Sequence, residues 1–392
     1  MIIRNIKIYT EKQVFKDGIL CIKNGLFDKI IFVQSLNNNT NIETYDDKII
    51  DGKGFYAIPG LIDIHFHGCM GMDFCDGTKE AITKLAKYEA ATGVTAIAPA
   101  TLTLPIKELE KILSVAREYA KGAQNGADLV GINMEGPFIS HTKKGAQDSR
   151  DIISCDETIC QRFLEVSGGL VKFIGIAPEE NNNYLDFIKN MKDKVNISLA
   201  HTNADYETAK AAFDVGANHA VHLYNAMTAF THRSPGVVGA VSDSSHVMAE
   251  LICDGIHVHP AVVRSTIKML GKNRVIMVSD SMRATGMPDG YYMLGGQKVH
   301  VKENQAVLVS NGTIAGSVSN LMNCLQTAVL KMGIPLETAV ACTTINPAKS
   351  LGIDDKYGSI SVGKKANLVL LDKTLAVKSV IKDGKIIVPE RA

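Results

Sequence analysis

The residues of this chain best suited to chemistry are histidines and carboxylates spread along its middle. His65 and His67 stand two apart in the run Gly60-Leu61-Ile62-Asp63-Ile64-His65-Phe66-His67-Gly68. Alternate side chains of a strand share a face, so the two imidazoles point the same way. Two neutral imidazoles at one strand end can grip a divalent cation if further ligands converge on them. Candidates follow downstream: Glu135 before Gly136-Pro137-Phe138, His201 in Leu199-Ala200-His201-Thr202, His222 in Ala220-Val221-His222-Leu223-Tyr224-Asn225, and Asp280 in Met277-Val278-Ser279-Asp280-Ser281. Asp254-Gly255-Ile256-His257 adds one more pair.

These residues need a frame that brings them together. Apolar runs at 61–67, 94–98, 128–135, 171–177, 197–201, 219–223, 248–253 and 274–280 read as buried parallel strands. Helical periodicity lies between several of them, at 79–92, 106–120, 205–215 and 260–270. Eight such units predict an α/β fold, a (β/α)8 TIM-like barrel. Five of the eight runs end on or near a metal-competent side chain, and a barrel gathers its C-terminal strand ends at one mouth. Taken singly, His201 reads as a core histidine, Asp280 as a helix cap and Glu135 as a turn residue. Recurrence of ionisable ends at matched positions favours a metal site, because a buried strand end rarely tolerates an unpaired charge. Asp63 lies deeper in its strand and is expected to be structural. His219 faces away from His222 and is not expected to be a ligand. His141, His232, His246, His259 and His300 are read as ordinary surface or core histidines.

The two ends of the chain differ from the middle. Ile2–Tyr9 alternates like a strand, 19–22 and 29–33 flank the turn dipeptide Asn24-Gly25, and Asn37–Thr40 reads as a polar loop. The last thirty or so residues repeat the style, with strands at 366–371, 377–381 and 385–388 around Asp383-Gly384. Isolated hairpins are marginal, so residues 1–56 and 357–392 are expected to pair into one small β domain, leaving 57–356 as the barrel.

Bulk composition sets the outer limits. The 392 residues are 46% hydrophobic and 21% charged, with a net charge of +1. That balance offers no nucleic-acid surface. No apolar run approaches the ~20 residues of a membrane span. No basic-apolar-small leader opens the chain, and the eight cysteines show no C-x-x-C spacing. We therefore expect a cytoplasmic protein with reduced thiols.

At this point the chain resembles a known family, the N-acetylglucosamine-6-phosphate deacetylases of the amidohydrolase superfamily. The resemblance rests on Pro59–Gly68, Met134–Phe138, Ala200–Thr202, His222-Leu223-Tyr224-Asn225-Ala226-Met227, Arg233–Gly236, Asp254–His257, Val278–Asp280 and Ala315–Ser317. His-x-His is shared across the superfamily, whereas Glu-Gly-Pro-Phe combined with His-Leu-Tyr-Asn-Ala-Met is more specific. It implies a catalytic (β/α)8 barrel with a small β-sandwich built from both termini, in a homodimer that binds a phosphorylated amino sugar. It implies one or two divalent cations per subunit, zinc foremost, with iron, manganese, cobalt or nickel as alternatives. Glu135, His201 and His222 would hold the principal cation. His65 and His67 would hold a second, with Glu135 and Asp280 shared or nearby. Ala146, Gln147, Asn225, Ala226, Arg233, Asp254, His257 and the loop Ile314, Ala315, Gly316 would contact substrate. Some members carry histidine where Gln147 stands, which leaves its grip on the sugar phosphate open. Asp280 would take and return the proton, His257 would steady the oxyanion, and Arg233 would bind phosphate, from the neighbouring subunit in some members. Rival readings are N-acetylgalactosamine 6-phosphate as substrate, a cyclic amide, or an inactive barrel used as a scaffold.

Overall fold

In the computed structural model, residues 1–35, 48–123 and 125–388 are described. The polar loop expected at Asn37–Thr40 lies outside them.

Eight barrel strands succeed one another in chain order: β1 Leu61–Asp63, β2 Val94–Ile97, β3 Ile132–Phe138, β4 Val171–Ile176, β5 Asn196–Leu199, β6 His219–Ala220, β7 Met248–Ile252 and β8 Val275–Val278. Neighbours pair in parallel, with β1 on β2 and an unbroken series from β3 to β8. Short extensions bridge β2 and β3: Asp128–Leu129 pairs with β2, and Ala100–Thr101 pairs with β3. The last strand returns to the first through backbone bonds just past the strand ends. Asp280 N donates to His65 O (2.9 Å), and Ser281 O accepts from His67 N (2.7 Å) and Gly68 N (3.0 Å).

Helices cover the outside. The helix Lys79–Thr92 shows why such a segment forms: Thr78 caps its start by accepting from Ala81 N, and Gly93 ends it in the left-handed region. Its inward face carries Ala81, Ile82, Leu85, Ala86 and Ala90. Truncating one such buried leucine to alanine typically costs about 2–5 kcal/mol. The helices expected at 79–92, 106–120 and 260–270 coincide with the observed ones, and the fourth runs Tyr206–Val215 with Asp205 as its cap.

The chain ends pair as one seven-stranded sheet. In spatial order it runs 385–388, 377–382, 368–371, 49–59, 2–9, 15–23, 26–32. Asn24 and Gly25 sit at the expected hairpin tip, both with positive φ. Its own apolar cluster includes Ile3, Ile6, Ile8, Leu20, Phe27 and Leu368.

Two features depart from the pattern in the sequence. Strands β1 and β6 are shorter than their apolar runs, so His65, His67 and His222 lie just beyond regular strand. A three-stranded antiparallel sheet, Gly290–Leu294, Gln297–Lys302 and Gln305–Leu308, follows β8 and packs on Leu102, Met282 and Ala315. No helix among the described residues is long and apolar enough to cross a membrane. All eight cysteines are free, seven of them buried.

Candidate active site

The strand ends do converge. Glu135, inside β3, is the centre. Its Oε1 lies 2.9 Å from His201 Nε2, 2.9 Å from His222 Nε2 and 3.3 Å from His65 Nε2, and its Oε2 lies 3.5 Å from His67 Nε2. His201 Nε2 and His222 Nε2 are 3.3 Å apart. Asp280 Oδ1 lies 3.3 Å from His67 Nε2 and 3.8 Å from His65 Nε2. All six side chains are buried.

His201, His222 and Asp280 all carry left-handed backbones, at φ 44°, 26° and 48°. A non-glycine residue held there costs about 1–3 kcal/mol, which the surrounding structure must offset. The turn at each strand end thereby aims the side chain inward.

Electrostatics follow from this crowding. Burial opposes charge on Glu135, but the imidazoles of His201 and His65 outweigh it and hold the carboxyl well below its usual range. Burial likewise opposes ionisation of Asp280, and the hydrogen bond from His67 wins, leaving its carboxyl lowered. Burial favours neutral His65, His67 and His201, yet their carboxylate partners raise all three.

The residues fit a divalent cation. Nitrogen and carboxylate donors suit zinc and its neighbours. Ligand atoms of His65, Glu135 and His222 lie within 4.8 Å of one another, as do those of His65, His67 and Asp280. His65 Nε2 is buried without a hydrogen-bond partner, although it faces two carboxylates. The far nitrogen of His201 is occupied by Lys143 O at 2.8 Å, which leaves Nε2 for the cluster.

Above the cluster lies a cavity of about 590 Å³, a size suited to a small ligand. Its walls include Ala146, Gln147, Asn225, Ala226, His257, Ile314, Ala315 and Gly316, all expected from the sequence. His65 lies beneath the floor. Asp254 stands behind the wall and holds His257, whose Nδ1 donates to Asp254 Oδ2 at 2.7 Å. Arg233 is exposed and does not line this cavity. Gln147 lines the cavity and is also tied to the cluster. Its Nε2 donates to Glu135 Oε2 at 2.5 Å and its Oε1 accepts from Thr103 N at 2.6 Å. Asp63, fully buried below the cluster, accepts from His65 N at 3.2 Å.

Sequence reasoning passed over several residues. Lys143, Lys144 and His141 reach the cavity, as do Leu294, Asn311 and Thr313 from the antiparallel sheet and the loop after it. Glu250 in β7 is fully buried against His65 and His219. A glutamate in the apolar run Met248–Cys253 was its signal, because such a charge needs partners. The antiparallel sheet turns at Gly295-Gly296 and Glu303-Asn304, all four at positive φ, and these turn pairs are its main trace in the sequence.

The Asp254–His257 pair gives a pH prediction. Burial lowers His257, but Asp254 outweighs it and raises the imidazole above its ordinary 6.5; Asp254 is lowered from 3.8. The imidazole's contribution to stability is complete below its unfolded value and fades as pH rises through the folded one. The carboxylate's contribution is complete above 3.8 and fades only in acid. Hydrogen bonds to charged groups are worth about 1.5–3 kcal/mol. Asp254→Asn should therefore destabilise the protein by an amount of that order near pH 6, and by less near pH 9. Urea unfolding at both pH values measures the gap, and a gap independent of pH would show that the pair is not ionic.

Comparison with known proteins places this site in context. The amidohydrolase family profile matches residues 56–387. An N-acetylglucosamine-6-phosphate deacetylase from Bacillus subtilis (strain 168) is 34% identical, across 98% of this chain and 96% of its own. An N-acetylgalactosamine-6-phosphate deacetylase from Escherichia coli O157:H7 is 33% identical, across 98% of both. A mutant N-acetyl-D-glucosamine-6-phosphate deacetylase from Mycobacterium smegmatis, solved with N-acetyl-D-glucosamine-6-phosphate, superposes with a TM-score of 0.89 at 29% identity, covering 99% of both chains. The chain belongs to the amidohydrolase family and, within it, to the N-acetylglucosamine-6-phosphate deacetylases.

Proposed function

We propose that this enzyme hydrolyses the N-acetyl amide of N-acetylglucosamine 6-phosphate to glucosamine 6-phosphate and acetate. The observation that carries the reading is the buried histidine–carboxylate cluster at the floor of a sugar-sized cavity, in a chain one-third identical to deacetylases of this substrate. The direct test is acetate release from N-acetylglucosamine 6-phosphate, with elemental analysis of the same sample. Absence of both metal and acetate would favour the scaffold reading. The galactosamine relative supports a second substrate, and parallel assays of the two epimers decide between them.

An amide is a weak electrophile with a poor leaving group, so the site must supply nucleophile, oxyanion stabilisation and a proton. Glu135, His201 and His222 would hold the principal divalent cation, and His65 and His67 a second, with Glu135 and Asp280 beside both. Zinc is the first choice, with iron, manganese, cobalt and nickel as alternatives. A cation so bound polarises a carbonyl and lowers the pKa of water from about 15.7 to about 7. Asp280, ionised and facing the cavity, accepts the proton of the attacking water and returns it to the amine. His257, whose protonated form Asp254 favours, donates to the developing oxyanion. Gln147 steadies Glu135 from the cavity wall.

Phosphate needs a cation. Arg233 is suited by its forked donors, and its exposed position fits a role across a homodimer, at the partner subunit's cavity. Asn225 and the backbone of Ala226 would add hydrogen bonds. Arg233→Ala is expected to raise KM for the phosphorylated sugar by roughly 10–100-fold, the equivalent of a charged hydrogen bond, with kcat little changed. An unaltered preference for the phosphorylated over the free sugar would remove Arg233 from this role.

A further inference from the structure

Glu250 has no task in the reaction outlined above, yet it touches both candidate cation positions. It is fully buried in the middle of β7. Its Oε2 accepts from His65 Nδ1 at 2.7 Å and from the backbone N of His222 at 3.1 Å. Its Oε1 accepts from His219 Nε2 at 2.9 Å and from Asn133 Nδ2 at 3.3 Å. Placing a lone carboxylate in a barrel interior costs several kcal/mol. Four converging donors offset that cost here. Two of them belong to candidate ligand residues, one from each cation position.

The consequence lies in the two nitrogens of His65. Nδ1 faces Glu250, while Nε2 faces Glu135 and Asp280 with no hydrogen bond of its own. An ionised carboxylate only accepts, so it keeps the imidazole proton on Nδ1 and leaves the Nε2 lone pair for a cation. His219 braces the carboxylate from the other side. Its ring packs on Phe173, with centroids 4.7 Å apart, and its Nδ1 lies 3.4 Å from Ser350 Oγ.

We propose that Glu250 is the positioning residue of the second cation: it fixes the tautomer and tilt of His65, and through the His222 N–H it ties that position to the principal one. The proposal rests on the two-cation reading above. It also explains why a histidine that is no ligand, His219, sits beside the cluster.

Glu250→Gln keeps the shape and an acceptor for His65 and His222. The new amide would face His219, which can accept it by moving its proton to Nδ1, towards Ser350. Asn133 Nδ2 gives up its long contact to Oε1 at 3.3 Å but keeps its bond to Ile64 O at 3.0 Å, so the main losses are the charge and that one weak bond. Zinc-loaded wild type and variant are titrated with a competing chelator, and folding is followed by circular dichroism. Loss of a partner behind a metal ligand typically costs 10–100-fold in affinity. The weaker zinc of the variant is expected to loosen by about that factor, with the tighter zinc changed by less than about threefold. A wild type that binds one zinc overturns the two-cation reading itself, before any variant is compared. A wild type with two and a variant holding both unchanged overturns the role of Glu250 alone. Nitrogen-15 histidine spectra of the zinc-loaded wild type need no variant at all. They should place the His65 proton on Nδ1, and a proton on Nε2 would sink the proposal.

Discussion

Asp280→Asn is expected to lower kcat by roughly 10²–10⁴-fold, the usual worth of a general acid–base, while the protein keeps its fold and at least one cation. Asparagine preserves size and the backbone bonds that hold this turn, Asp280 N to His65 O and Ser317 N to Asp280 O. It cannot accept a proton. Its carbonyl can still lie near His67, so the cluster of Glu135, His201 and His222 stays intact. KM should move little, because Asp280 is not asked to bind the sugar. Steady-state kinetics with metal analysis on the same preparation separates the outcomes. Near-normal turnover would take Asp280 out of the mechanism. A variant without metal would make it a ligand first and a base second.

Glu135→Gln should act on the whole centre. The carboxylate lies within 3.5 Å of the Nε2 atoms of four buried histidines. Removing its charge would strip both proposed cation positions of the ligand they are proposed to share, so the purified variant is expected to carry no stoichiometric metal and to release no measurable acetate. The metal-free protein should suffer too. Breaking one side of a buried ion pair typically costs about 3–5 kcal/mol, and urea unfolding of chelator-treated wild type and variant measures it. Full metal retention in the variant would show that the imidazoles alone suffice.

Much of this architecture was legible in the residues. Parallel barrel strands are buried on both faces and announce themselves as unbroken apolar runs. Ionisable residues at their ends stand out against that background. That is how Glu135, His201, His222 and Asp280 became visible as a set. Other parts were hidden for physical reasons. His65 and His67 were assigned to regular strand, but they stand beyond it, where tertiary bonds to Ser281 and Asp280 dictate the backbone. Glu250 sits in mid-strand rather than at a strand end, so a search of strand ends passes it by. In the small antiparallel sheet after β8, Gln297–Lys302 alternates, but the neighbouring Gly290–Leu294 carries Tyr291 and Met293 on its exposed face, which blurs the pattern. Arg233 is exposed and carries no packing signal.

The bonds joining the last barrel strand to the first have a consequence for how the enzyme comes into being. His65 and Asp280 are over half the chain apart in sequence, yet they meet across the seam that completes the ring, with Asp280 N bonded to His65 O. Contacts of such long sequence separation form late, because loop entropy must be overcome before they reward it. A nascent chain that has not yet delivered Asp280 can hold histidines in place without a finished site. The grouping of His65, His67 and Asp280 is therefore completed only when this seam joins, after the strands that carry Glu135, His201 and His222 are already neighbours in the series from β3 to β6.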